Sequence, residues 1–104
     1  MILNEIAKTL DAAAANAKAT TQISTTESFT EEQAYEIQRL SLEERYGRGE
    51  KFAGLKLGFT SFAKMEQMGV HDMIWGRLTD SMWYKSGDEL PMDQFIHPRA
   101  EPEI

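Results

Sequence analysis

The sequence contains no cysteine, which excludes disulfides and thiolate chemistry. It has no apolar run near the ~20 residues that a membrane-spanning helix needs. The opening Met1-Ile-Leu-Asn-Glu-Ile6 has no basic region ahead of an apolar stretch, so it does not read as a signal peptide. Positive charge is also scarce. Eleven Lys and Arg face 17 Asp and Glu, and the net charge of −6 argues against non-specific nucleic-acid binding. The acid is spread along the chain and forms no tail. Nothing repeats internally, and only the alanine run is compositionally biased. These absences leave a soluble cytoplasmic protein as the expectation.

What is present is ordinary for a globular protein: 41% apolar and 27% charged residues. A chain of 104 residues is one domain or part of one, with room for a small core. Leu3, Ile6, Leu10, Ala14 and Ala17 recur at helical spacing, which predicts an amphipathic helix over residues 2–18. The Ser- and Thr-rich residues 20–28 predict a loop. Thr30-Glu-Glu-Gln33 fits a capping box that opens a second helix, ending near Gly47 or Gly49.

Residues 52–59 alternate with period two. Ala53, Leu55, Leu57 and Phe59 are expected on the core side, and Phe52, Gly54, Lys56 and Gly58 on the other. Thr60 and Ser61 can cap a short helix, Phe62–Met68, that Gly69 stops. Residues 70–83 mix turn and extended character. Lys85-Ser-Gly-Asp88 reads as a turn, and residues 96–104 as a last strand. The order α-α-β-α-β-β is an α+β arrangement, helical over 1–50 and built of strands and a short helix over 51–104.

Four places could carry chemistry. Lys56 has glycines two residues to either side on the same strand face, which predicts an ammonium standing in a hollow, suited to a carboxylate or enolate oxygen. The bland alternative is a surface lysine. Thr60 and Ser61 lie where a strand turns into a helix, a place for either an anion or plain capping. Asp80, in Gly76-Arg-Leu-Thr-Asp80, could move a proton or simply form a turn. Glu101 and Glu103, two apart in the expected last strand, would share a face with His97 and Arg99. Such a pair suits a hard divalent ion such as Mg²⁺ or Mn²⁺, or else it pairs with Arg99 on a solvated face. Met65, Met68, Met73, Trp75, Met82 and Trp83 read as core, or as the lining of an apolar pocket. His71 and His97 stand alone and do not read as ligands.

Four segments come in order: Gly54-Leu-Lys-Leu-Gly-Phe-Thr-Ser61, Ala63-Lys-Met-Glu-Gln-Met-Gly-Val70, Trp75-Gly-Arg-Leu-Thr-Asp80 and Ile96-His-Pro-Arg-Ala-Glu-Pro-Glu-Ile104. From about residue 30 onward the chain resembles the 2-keto-4-pentenoate hydratase and 4-oxalocrotonate decarboxylase group of the fumarylacetoacetate hydrolase superfamily. That resemblance implies a mixed, barrel-like β fold of which only the first strands are here, and a chain cut short. It implies Mg²⁺ or Mn²⁺ held by three carboxylates, with Glu101 and Glu103 matching the first two and the third missing. It places Lys56 and Asp80 at the substrate as proton-transfer residues, and the Thr60-Ser61 turn at the same site as substrate-binding. The implied substrates are 2-oxo and 2-hydroxy dienoic acids from meta-cleavage of aromatic compounds.

The segment after Ser61 leans toward the decarboxylase, with the hydratase as the alternative. The resemblance also implies a homo-oligomer or a hydratase–decarboxylase complex. Two other readings compete: a truncated, non-catalytic partner subunit, and an unrelated α+β domain without metal. The 104 residues alone are expected to lack activity and to be marginally stable or oligomeric.

Overall fold

Helix formation begins with the apolar spacing already noted. In the computed structural model, which describes residues 2–58, 61–69 and 72–103, α1 spans Leu3–Ala15. It ends earlier than its periodicity predicts. Asn16 turns its side-chain amide back to the Ala12 carbonyl at 2.8 Å, and Ala17 adopts a left-handed φ of 51°. A short 3₁₀ turn, Ile23–Thr25, follows.

The second helix, α2, spans Glu31–Gly47 and opens on the expected capping box. Thr30 Oγ1 accepts the Gln33 N–H at 3.1 Å, and Gln33 Oε1 accepts the Thr30 N–H at 2.9 Å. Glu31 and Glu32 sit in its first turn, where the helix dipole favours negative charge. The core lies between the two helices. Ile6, Ala7 and Ile37 are buried, and Leu3, Leu10, Ile23, Phe29 and Leu40 pack around them. At the far end Arg48 donates two hydrogen bonds to the buried Asp11, at 2.6 and 2.8 Å, fastening the end of α2 to α1.

Strand β1, Phe52–Gly58, pairs antiparallel with β2, Ile74–Thr79. Lys56 faces Gly76 and Leu55 faces Arg77, with an irregularity between Phe52 and Gly54 where the Gly54 φ of 156° falls outside the range of most L-residues. Between the strands, α3 (Phe62–Met68) starts on Ser61, whose Oγ accepts the Lys64 N–H at 3.2 Å. It stops at Gly69, in the left-handed conformation that glycine adopts without strain. Short 3₁₀ turns follow at Asp80–Met82 and Met92–Gln94. The expected turn at Lys85 forms, with Lys85 N–H donating to Asp88 Oδ2 at 2.7 Å.

Two side chains of α2 tie the helices to the sheet. Tyr35 Oη accepts the Trp75 N–H at 3.3 Å. Gln38 donates to the Trp75 carbonyl at 3.2 Å and accepts the Arg77 N–H at 3.0 Å. Together they satisfy one edge of β2 as a neighbouring strand would. The Tyr35 and Trp75 rings stack at 4.9 Å, and the Arg77 guanidinium lies over Trp75 at 4.6 Å.

Three expectations need correction. Ala53, Leu55 and Leu57 do not pack on the core; Leu55 and Leu57 are more than half exposed. Among the described residues the main helix–sheet contact runs between α2 and β2, and that face of β1 stays exposed. Residues 96–103 are irregular and do not form the expected last strand. Pro98 and Pro102 contribute no backbone N–H to a ladder there. Of the methionines and tryptophans read as core or pocket lining, Met68, Met73, Met82 and Trp83 are exposed, while Met65 and Trp75 are half-buried and Trp75 lines a hollow. Phe59, Thr60, Val70, His71 and Ile104 lie outside the described residues.

Candidate functional site

The antiparallel register sets Lys56 opposite Gly76, and that cross-strand pair opens the site. The sequence pattern pointed to Gly54 and Gly58 as the makers of space around Lys56. A side chain at Gly58 would meet Ile74 at 3.0 Å, and one at Gly54 would meet Trp83 at 3.9 Å, so both gaps already have neighbours. A side chain at Gly76 would meet nothing within 4 Å. The glycine across the ladder therefore leaves the open volume, which single-strand spacing does not reveal.

A hollow of about 570 Å³ lies here. Lys56, Ser61, Lys64, Glu101 and Glu103 line it with Gly76. Lys56 Nζ donates to both carboxylate oxygens of Glu103, at 3.0 and 3.1 Å. Both partners are more than half exposed, so water screens the pair and it adds little to stability. Glu101 and Glu103 reach the hollow from an irregular segment, so the two-residue strand spacing is not what brings them there. Ser61 caps α3 and faces the same space. Thr60 lies outside the described residues.

Asp80 is placed elsewhere. It follows β2 four residues after Gly76, roughly 13 Å along an extended chain. Its N–H donates to the Lys51 carbonyl at 2.9 Å, and its Oδ1 accepts the Lys51 N–H at 3.1 Å. Among the described residues lining the hollow, Asp80 does not feature.

A cluster that the sequence reading missed surrounds Asp80. Glu50 Oε1 accepts from Thr79 Oγ1 at 2.6 Å, from Ser81 Oγ at 2.5 Å and from Arg45 at 3.0 Å. Burial pushes the Glu50 carboxyl up, but the hydrogen bonds from Ser81, Thr79 and Arg45, with the Arg45 charge, outweigh it and hold the pKa at about 2. Thr79 is fully buried. No local signal marked Glu50, because its two hydroxyl partners lie 29 and 31 residues away. A second hollow, of about 590 Å³, borders this cluster, and its two arginines are already paired, Arg45 with Glu50 and Arg48 with Asp11.

The donor set at Lys56 suits a hard cation in kind. Two carboxylates share one hollow, and oxygen ligands are what Mg²⁺ and Ca²⁺ take. In number it is incomplete: the described residues contain no group of three metal-capable side chains. The arrangement can bind an anionic small molecule through Lys56 and Lys64 and offer two carboxylates to a cation beside it.

No family model matches the chain. It is 51% identical over all 104 residues to a 4-oxalocrotonate decarboxylase of a Pseudomonas species, and covers 41% of that protein. It is 46% identical over 74 residues to a 2-hydroxypent-2,4-dienoate hydratase of Pseudomonas putida, covering 70% of this chain and 33% of the relative. Among solved structures, 4-oxalocrotonate decarboxylase from Pseudomonas putida G7 aligns with a TM-score of 0.70 and 34% identity over 76% of this chain. That enzyme was solved with calcium and acetate and with magnesium and adipate, and the match covers 31% and 30% of its chain in the two cases. The chain thus spans about two fifths or less of the relatives that it matches. With an α+β architecture and detectable identity along its whole length, it is similar in sequence and fold to part of the 4-oxalocrotonate decarboxylases and 2-keto-4-pentenoate hydratases.

Proposed function

We propose that this chain is the N-terminal part of a divalent-metal-dependent 2-oxo-enoate decarboxylase that acts on 4-oxalocrotonate or a close diacid analogue. The carrying observation is the hollow in which Lys56, Ser61, Glu101 and Glu103 meet. Identity to part of a decarboxylase along all 104 residues of this chain supports it, as does the structural relative that holds magnesium and a dicarboxylate. The hydratase reading rests on the 46% identity to a dienoate hydratase, which extends over a shorter stretch.

Glu101 and Glu103 would hold Mg²⁺ or Mn²⁺, with a third carboxylate expected from beyond this segment. Bound there, the ion supplies Lewis acidity to the 2-oxo acid group. Lys56 must release Glu103 for this. Its ammonium is then free to sit beside the oxygen on which charge collects when CO₂ leaves, where it stabilises the enolate. Ser61 would orient the substrate by a hydrogen bond, and Thr60 beside it shares that role in the proposal. Asp80 does not line this hollow, so in this proposal it would carry the proton that returns the enolate to the keto product only where the substrate, or a water between them, extends to the end of β2. A cytoplasmic location suits a catabolic enzyme of this kind. The exposed Leu55, Leu57 and Trp83 give apolar surface for a homo-oligomer or a hydratase–decarboxylase contact.

The test uses the complete gene product. It is incubated separately with 4-oxalocrotonate and 2-hydroxypent-2,4-dienoate, with Mg²⁺ and with chelator. Release of CO₂ from the diacid, abolished by chelator, is expected. Failure to consume either acid in the presence of metal overturns the proposal. The 104 residues by themselves are expected to be inactive.

A further inference from the structure

The Glu50 cluster has a geometry that the proposed reaction does not use. Thr79 and Ser81 are the immediate neighbours of Asp80 in the chain, and both donate their hydroxyl protons to one oxygen of Glu50, at 2.6 and 2.5 Å. Asp80 itself is bonded through its backbone and its Oδ1 to Lys51, the residue after Glu50. Three consecutive residues are therefore gripped by two consecutive residues of another segment. Arg45, projecting from the last turn of α2, fixes the grip by holding Glu50 at 3.0 Å. Among the described residues nothing bonds the remaining oxygen of Asp80, Oδ2, and Asp80 is exposed. One carboxylate oxygen is thus anchored while the other stays open to solvent.

We infer that Glu50 is a positioning residue that aims Asp80 by clamping the hydroxyls on either side of it. This rests on the proposed role of Asp80 in proton transfer. A simple surface turn needs no such clamp. Asp-containing turns form with local backbone bonds alone, whereas this one spends a buried threonine, a serine, an arginine and a carboxylate on a single three-residue stretch. Because Glu50 keeps its charge throughout the ordinary working range, the clamp does not loosen with pH there.

The experiment is a double-mutant cycle in the complete gene product, with decarboxylation of 4-oxalocrotonate as the assay. One arm is Thr79→Val with Ser81→Ala, which removes both clamping hydroxyls and leaves the Glu50–Arg45 pair in place. The other is Asp80→Asn, which keeps an oxygen acceptor for the Lys51 N–H. Asp80→Asn should lower kcat about 100-fold. The clamp variant should lower kcat about 10-fold or more with KM unchanged, as misplacement of a catalytic group does. In the Asp80→Asn background the clamp variant should have no further effect on kcat, because its influence passes through Asp80. If the clamp variant is active like wild type, or if its loss simply multiplies that of Asp80→Asn, the positioning role is overturned while Asp80 keeps its own. If Asp80→Asn is fully active, the proton-transfer reading fails and the positioning inference fails with it. A clamp variant that is inactive because unfolded is replaced by Ser81→Ala alone, judged by the same cycle.

Discussion

Lys56 donates to both oxygens of Glu103 across 47 residues of sequence, at 3.0 and 3.1 Å. Because both side chains are mostly solvated, the pair adds little to stability. Replacing Lys56 by Met should change unfolding free energy by less than about 1 kcal/mol. Under the role proposed for Lys56, the same change should cost the complete gene product on the order of 100-fold in kcat, the usual effect of removing one group aimed at developing charge. Chemical denaturation and steady-state kinetics on the same samples check both halves. A large loss of stability with normal turnover would sink the assignment.

The same pair predicts competition with a cation. Mg²⁺ or Mn²⁺ should bind more tightly to Lys56→Met than to wild type when measured directly by calorimetric titration, since Glu103 is then unengaged. Glu101→Gln and Glu103→Gln should each abolish the heat of binding. On the 104 residues alone the affinity should be poor, because Mg²⁺ dehydrates reluctantly and demands near-octahedral ligands.

Glu50 predicts an acid-stability signature. Its pKa is lowered to about 2 in the folded protein from 4.5. A depressed carboxylate contributes stability that is present above the unfolded value and is lost as pH falls through the folded one. Between about pH 4.5 and pH 2 the wild type should therefore lose on the order of 2 kcal/mol more than Glu50→Gln. Thermal melts across that window test it, and parallel curves for the two proteins would contradict it.

The Arg48–Asp11 pair predicts a purely structural loss. Asp11 is buried while Arg48 is partly solvated, so the pair lies between the surface and interior extremes. Asp11→Ala should cost about 2 kcal/mol, and Arg48→Ala a comparable amount because it leaves a buried carboxylate unpaired. Urea melts measure this. The hydrogen bonds that Arg48 donates to Asp11 hold the Arg48 pKa above its ordinary value, so the pair persists through the alkaline range.

Capping gives the simplest prediction. Thr30→Ala removes the acceptor for the Gln33 N–H and should destabilise α2 by about 1 kcal/mol, read as a lower melting temperature.

Local rules account for the helices and turns, which were legible in the sequence. The capping box at Thr30, the Ser61 cap, the Gly69 stop and the Lys85 turn each depend on residues within a few positions of one another. The same rules misplaced the outer faces. Alternation identified β1 as a strand, but Leu55 and Leu57 are exposed because burial depends on what lies opposite, and α2 bonds to the β2 edge through Tyr35 and Gln38. The last strand failed for the reverse reason. A period-two pattern in residues 96–103 has no ladder to join, and two prolines weaken it.

Residue types alone determined the chemistry available to this protein: no thiols, a glycine-flanked lysine, two closely spaced glutamates and an acidic balance. Which of those groups meet was decided by tertiary structure. Antiparallel pairing put Gly76 opposite Lys56 and opened the hollow, and the return of the chain set Glu103 on the ammonium. The Glu50 clamp depends on partners about thirty residues distant, and side chains that far apart meet only when the backbone has folded to close the loop between them.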